Sequence, residues 1–132
     1  PRDGKPGWGT RSIDAQKLLV VLLEDEEKYG PAALLADRLV RQLLPKINDN
    51  KLKEQYFDLY YHLIYCILKN GQALPNAEQK NKAVKDAAQR IVNLEKAQGG
   101  FGSDESKKRF EELLEKETDL REQYNALKHR GS

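Results

Sequence analysis

YFDLYYHLIYCIL, Tyr56–Leu68, is the densest apolar run in the chain and holds four of its six tyrosines. At 3.6 residues per turn, Tyr56, Leu59, Tyr60, Leu63, Ile64 and Ile67 fall on one broad face. Asp58, His62 and Lys69 gather on the opposite side, with Tyr61 and Tyr65 at its borders. The run is too long for an ordinary strand, and no turn chemistry interrupts it, so it reads as a helix. A helix apolar around most of its circumference needs neighbours on more than one side. Gly71 reads as its stop, because glycine accepts the left-handed conformation that closes a helix. An all-α fold follows from this segment, with the rest of the chain supplying the cover.

The flanking segments repeat the same punctuation. Residues 1–11, PRDGKPGWGTR, are rich in Gly, Pro and basic side chains and read as a linker arriving from an upstream region, with Trp8 as a lone aromatic. Residues 12–130 read as a single helical domain. Ser12 is the expected cap of a first helix that reaches Tyr29. Within it LLVVLL, Leu18–Leu23, is apolar at every angle, which predicts cover from a second subunit or from another segment. The acidic run Glu24–Glu27 follows and opposes the helix dipole at that end.

Gly30 and Pro31 open a second helix, which Pro45 ends. Asn76 and Gln79 have the spacing of a capping box for a fourth helix near residues 77–98. Gly99, Gly100 and Gly102 make the next turn, and Ser103 caps a fifth helix, with a break expected at Thr118 and Asp119. The sum is five to six antiparallel helices arranged as stacked helical hairpins.

The whole-chain properties narrow the function classes. At 132 residues, with 39% hydrophobic and 33% charged residues, the chain can bury a core without metal or disulfide support. A net charge of +2 does not by itself call for nucleic acid. Cys66 is the only cysteine, so no internal disulfide forms, and no zinc-ligand spacing is present. The unpaired cysteine favours a cytoplasmic setting. No apolar run is long enough to span a bilayer. A start at Pro1 and the lack of Met lead to the expectation of a piece of a longer polypeptide.

The pattern also resembles a tetratricopeptide repeat, in which two helices joined by a short turn recur. Tyr60 matches the large aromatic position, Leu63 the leucine three residues on, Ile67 the later aromatic position and Gly71 the turn. Ile64 departs from the usual small residue. Ala83 matches the small-residue position of the second helix only after extra loop residues. Ala33 and Pro45 match the small and closing-proline positions of a preceding unit. The ending GGFGSDESKKRFEELLEKETDLREQYNALK is similar to the closing segment of such regions in large bacterial multidomain proteins. The resemblance covers residues 29–128. It implies a tetratricopeptide-like array that binds partners through a concave side and carries no catalytic residues. The same placement turns Tyr60, Leu63 and Ile67 into the hairpin interior and Asp58, Tyr61, Tyr65 and Lys69 toward the groove.

No constellation points to a reaction or a cofactor. Glu54, Asp58 and His62 share a face at i, i+4 and i+8 and read as a solvated stripe rather than a metal site, because no Glu-x-x-His partner helix exists. Cys66 lies among apolar neighbours and reads as a small core residue. Lys80, Lys82, Lys85 and Arg90 could meet phosphate, but Glu78 and Asp86 dilute them. The sequence therefore reads as a non-catalytic protein–protein interaction or scaffold domain for a protein or peptide partner. Asp58, Tyr61, Tyr65 and Lys69 are its candidate contacts, and Leu18–Leu23 is a candidate homo-oligomer face. The alternatives are a weak nucleic-acid-binding domain using the Lys80–Arg90 face, and an accessory or oligomerisation domain of an enzyme.

Overall fold

Six α-helices, and no strand among the described residues, build the chain: α1 (Trp8–Asp25), α2 (Tyr29–Leu43), α3 (Asn50–Gln72), α4 (Ala77–Gln98), α5 (Asp104–Lys116) and α6 (Thr118–Arg130). The computed structural model describes the backbone of residues 8–130 and the side chains of residues 13–129. The expected linker thus shortens. Residues 1–7 lie outside the described residues, residues 8–11 already belong to α1, and Ser12 sits within that helix instead of capping it. The Trp8 side chain lies outside the described side chains.

Local chemistry explains most of the boundaries. The Asp49 side chain accepts from the Leu52 N–H at 3.1 Å and starts α3. Asn76 accepts from the N–H groups of Glu78 and Gln79 and starts α4, and the Ser103 hydroxyl accepts from the Ser106 N–H and starts α5. Each satisfies donors that a helix leaves open at its first turn. Gly99 closes α4 in the left-handed region at φ 72°. Glu27 takes the same role after α1 at φ 60°, with the Lys28 N–H bonded to the Leu23 carbonyl, a conformation that costs a non-glycine residue about 1 kcal/mol. Pro31 falls in the third position of α2, still inside the turn whose N–H groups lack helical partners.

Gly71 departs from its expected role. It lies inside α3, which runs on to Gln72, and a Cβ added there would stand 2.2 Å from the Ala83 Cβ. The glycine lets α3 and α4 touch; it does not stop the helix.

α3 is the hub. It packs most extensively on α2, then on α4, and also meets α1 and α5, while α4 carries α6 on its other side. Tyr56, Phe57, Leu59, Tyr60, Leu63, Ile64, Cys66 and Leu68 are all buried, as its wide apolar circumference requires. The Tyr60 hydroxyl donates to the Arg90 carbonyl at 2.9 Å, so the one polar atom of that ring is satisfied on α4.

The polar bridges give the helix directions. Lys17 meets Asp58, and further along both helices Glu24 meets His62 and Cys66, so α1 and α3 run parallel. Arg109 meets Asp58, and further along Glu117 meets Lys69, so α3 and α5 run parallel as well. α1, α3 and α5 are therefore the first helices of three successive hairpins, lying side by side in the same sense.

Candidate functional site

The seam between α3 and α5 holds the sequence candidates. Tyr61 and Tyr65 are one helical turn apart on α3 and stack with centroids 6.3 Å apart at 18°. Both are half-buried. Tyr61 rests edge-on against Phe110 of α5 at 5.8 Å, and Tyr65 meets Tyr29 of α2 edge-on at 6.1 Å. The Arg109 guanidinium lies 4.3 Å from the centre of the Tyr61 ring, and the Lys69 ammonium lies 5.7 Å from that of Tyr65. Glu112, Lys116 and Glu117 complete the α5 wall of a shallow groove of about 330 Å³. Its floor is aromatic and its rim carries both signs of charge.

Burial pushes the hydroxyls of Tyr61 and Tyr65 above their ordinary value, an effect that Arg109 partly offsets at Tyr61. Both stay protonated at neutral pH, so each keeps a donor for a ligand. Lys69 reaches Glu117 at 3.2 Å, and Gln72 reaches the same carboxylate at 2.9 Å. The candidate lysine therefore works as part of a charged rim and not as a lone cation.

Asp58 plays a different part from the one expected. It is paired with Lys17 of α1 and Arg109 of α5, and it fastens three helices together. Burial alone would raise its carboxyl, but the two cations outweigh that effect and hold it below its ordinary value. A carboxyl depressed by folding stabilises the fold above its ordinary value of 3.8, and that stabilisation is lost as pH falls through the folded value. Asp58→Asn is expected to cost about 1 kcal/mol at neutral pH. Urea unfolding of the wild type and the variant should converge as the pH drops below 3.8. A gap that persists in acid would remove Asp58 from this role.

The stripe read as solvated is instead covered. His62 is only 12% exposed, and its Nδ1 lies 2.6 Å from Oε2 of Glu24, itself 12% exposed. The Cys66 thiol donates to the same oxygen at 3.2 Å. α1 reverses the usual arrangement here: Lys17 and Glu24 point inward with Ile13 and Val20, at helical spacing 13, 17, 20 and 24, and meet the polar side of α3. Glu54 alone of the three stays exposed. Burial, then the Glu24 carboxylate, push the Cys66 thiol up, so it remains a neutral donor in the core and no nucleophile. Among the described residues, no group of three or more His, Cys, Asp and Glu side chains is placed to hold a metal ion.

The rival basic face is thinned by the fold. Lys80, Lys82 and Lys85 are exposed, but Arg90 is held by Asp86 at 3.3 Å and by Asp37 of α2 at 3.4 Å. No described helix is long and apolar enough to cross a membrane.

The α5 half of the groove was missed in the sequence. Arg109, Glu112, Leu113 and Lys116 repeat at i, i+3, i+4 and i+7, so their common face was visible. Nothing in the chain said that this face would meet α3. Comparison with protein-family models, curated proteins and solved structures gave no match.

Proposed function

We propose that this chain is a tetratricopeptide-like helical-hairpin array serving as a non-catalytic protein–protein interaction module, with a peptide segment as partner in the α3/α5 groove. The observation that carries this reading is the pair of stacked tyrosines, Tyr61 and Tyr65, left half-exposed between two parallel hairpin helices and flanked by Arg109 and Lys69. Tyrosine suits such a surface, because it offers a large apolar area and a hydroxyl while freezing few rotamers. The mixed rim of Lys69, Lys116, Glu112 and Glu117 favours a partner that carries charge beside an apolar anchor. The parallel order of α1, α3 and α5 supports the array, since successive hairpins related by translation run their first helices in one sense.

Selection of a displayed peptide library on the folded chain tests this. Selected peptides are expected to lose about tenfold or more in affinity on Tyr65→Ala, the scale of an interface hot spot. Lys116→Glu, at an exposed rim position, should change their charge preference while leaving the melting curve in place. Binders indifferent to both changes, or no binders at all, would reject the groove.

A further inference from the structure

The groove over Tyr61 and Tyr65 does not end at Arg109. A second hollow of about 230 Å³ continues it toward the N-terminal ends of α3 and α5, and Arg109 lines both. Glu54, Asp58, Tyr61, Tyr65 and Lys69 follow one line along α3 at helical spacing. From Glu54 to Lys69 that line runs about 22 Å, which an extended chain covers with about seven residues. A helical ligand, about 10 Å across, does not enter a furrow between two helices that touch.

The charges of the added stretch are one-sided. Its two cations are spent, because Lys17 and Arg109 both pair with Asp58. Glu54 of α3 and Glu105 of α5 line the same hollow from its two walls. Both are exposed, and neither makes an ion pair among the described residues. Asp14 of α1 adds a further carboxylate alongside, where it accepts from the neutral Gln55 amide at 3.2 Å. Two cations against four carboxylates leave this end of the groove with a charge of −2. Around Tyr61 and Tyr65 there is no such excess, since Lys69 and Lys116 balance Glu112 and Glu117.

We propose that the peptide held in the α3/α5 groove is extended and basic on one side of its anchor. An apolar or aromatic side chain lies on Tyr61 and Tyr65, and an arginine or lysine lies between Glu54 and Glu105, where both carboxylates can accept from it. This rests on the groove reading above and adds the conformation, sign and spacing of the ligand. Glu54 stands about 10–17 Å from the two tyrosines along α3, so the two side chains are about three to five residues apart in the peptide.

Peptides selected from a displayed library on the full chain should carry Arg or Lys at that distance from an apolar anchor. In fluorescence anisotropy, Glu54→Gln with Glu105→Gln should weaken their binding about threefold to tenfold and remove most of its dependence on salt. The circular dichroism spectrum and melting temperature should stay in place, because both positions are exposed. Glu54→Lys with Glu105→Lys should turn the selection toward Asp or Glu at the same spacing. Peptides that lose affinity on Tyr65→Ala but show no basic preference, or ignore the glutamine pair, would overturn this inference and leave the groove reading standing. Binders indifferent to Tyr65→Ala as well, or no binders at all, would remove both. A polylysine peptide of equal length that binds as tightly as the selected ones would reduce the effect to plain charge attraction and overturn the anchored mode.

Discussion

Phe110→Ala is expected to cost about 3–5 kcal/mol. The ring is fully buried, stacks on Phe101 at 4.9 Å and 19°, and takes the edge of Tyr61 at 5.8 Å. Removing it therefore leaves a cavity bounded by α3, α5 and the glycine-rich turn, and that cavity cannot close without moving a helix. α5 has few other holds on α3: Leu113 beside Tyr61 and Tyr65, and the bridges from Arg109 to Asp58 and from Glu117 to Lys69. A domain of this size has a total stability of roughly 5–15 kcal/mol, so the loss is a large share of it. The midpoint of thermal unfolding should fall by about 10–20 °C. Hydrogen exchange should show α5 opening before α3 and α4. Peptide binding should weaken beyond the stability change, because one wall of the groove is then mobile. A loss below about 1 kcal/mol would mean that α5 is held by something other than this ring.

The elements that sequence pattern placed well are those governed by neighbours along the chain. α4 begins after Asn76 and ends before Gly99, as the cap chemistry predicts, and α5 follows Ser103. The break between α5 and α6 falls at Glu117, beside the expected Thr118. The readings that failed on the polar side of α3 depend on partners some 40 residues away. Pattern reading sends charge to solvent, so Asp58 and His62 were assigned to a wet stripe. Lys17 and Glu24 sit 41 and 38 positions from Asp58 and His62, and each satisfies its partner inside the fold. Once these charges turn inward, the leucines of α1 must turn outward. The sequence showed only that LLVVLL had too many apolar angles for one buried face; which of them stay bare depends on the polar contacts with α3. Tyr61 and Tyr65 were legible as border residues of α3, while Arg109 over the Tyr61 ring was not, since the α3–α5 pairing has no local signature.

Gly71→Ala is expected to destabilise the chain by about 1–3 kcal/mol, against the usual sense of a glycine-to-alanine change in a helix. Alanine would ordinarily gain about 0.5–1 kcal/mol there from backbone propensity. That gain is outweighed because the new methyl would stand 2.2 Å from the Ala83 Cβ, where carbon atoms normally rest about 3.5–4.0 Å apart. Neither group can rotate away, since a Cβ position is fixed by the backbone. α3 and α4 must therefore part by more than 1 Å, and the contact that binds Tyr60 to the Arg90 carbonyl lies in the same interface. Ala83→Gly removes the opposing methyl. Alone it should cost about 1 kcal/mol through helix propensity in α4. Combined with Gly71→Ala it should restore most of the lost stability, giving a coupling of about 2–4 kcal/mol in the cycle of chemical-denaturation free energies. Such a coupling identifies a steric contact between two named methyl positions, which propensity effects alone would not produce because they add. Simple additivity of the two changes would place the helices further apart at this point than described.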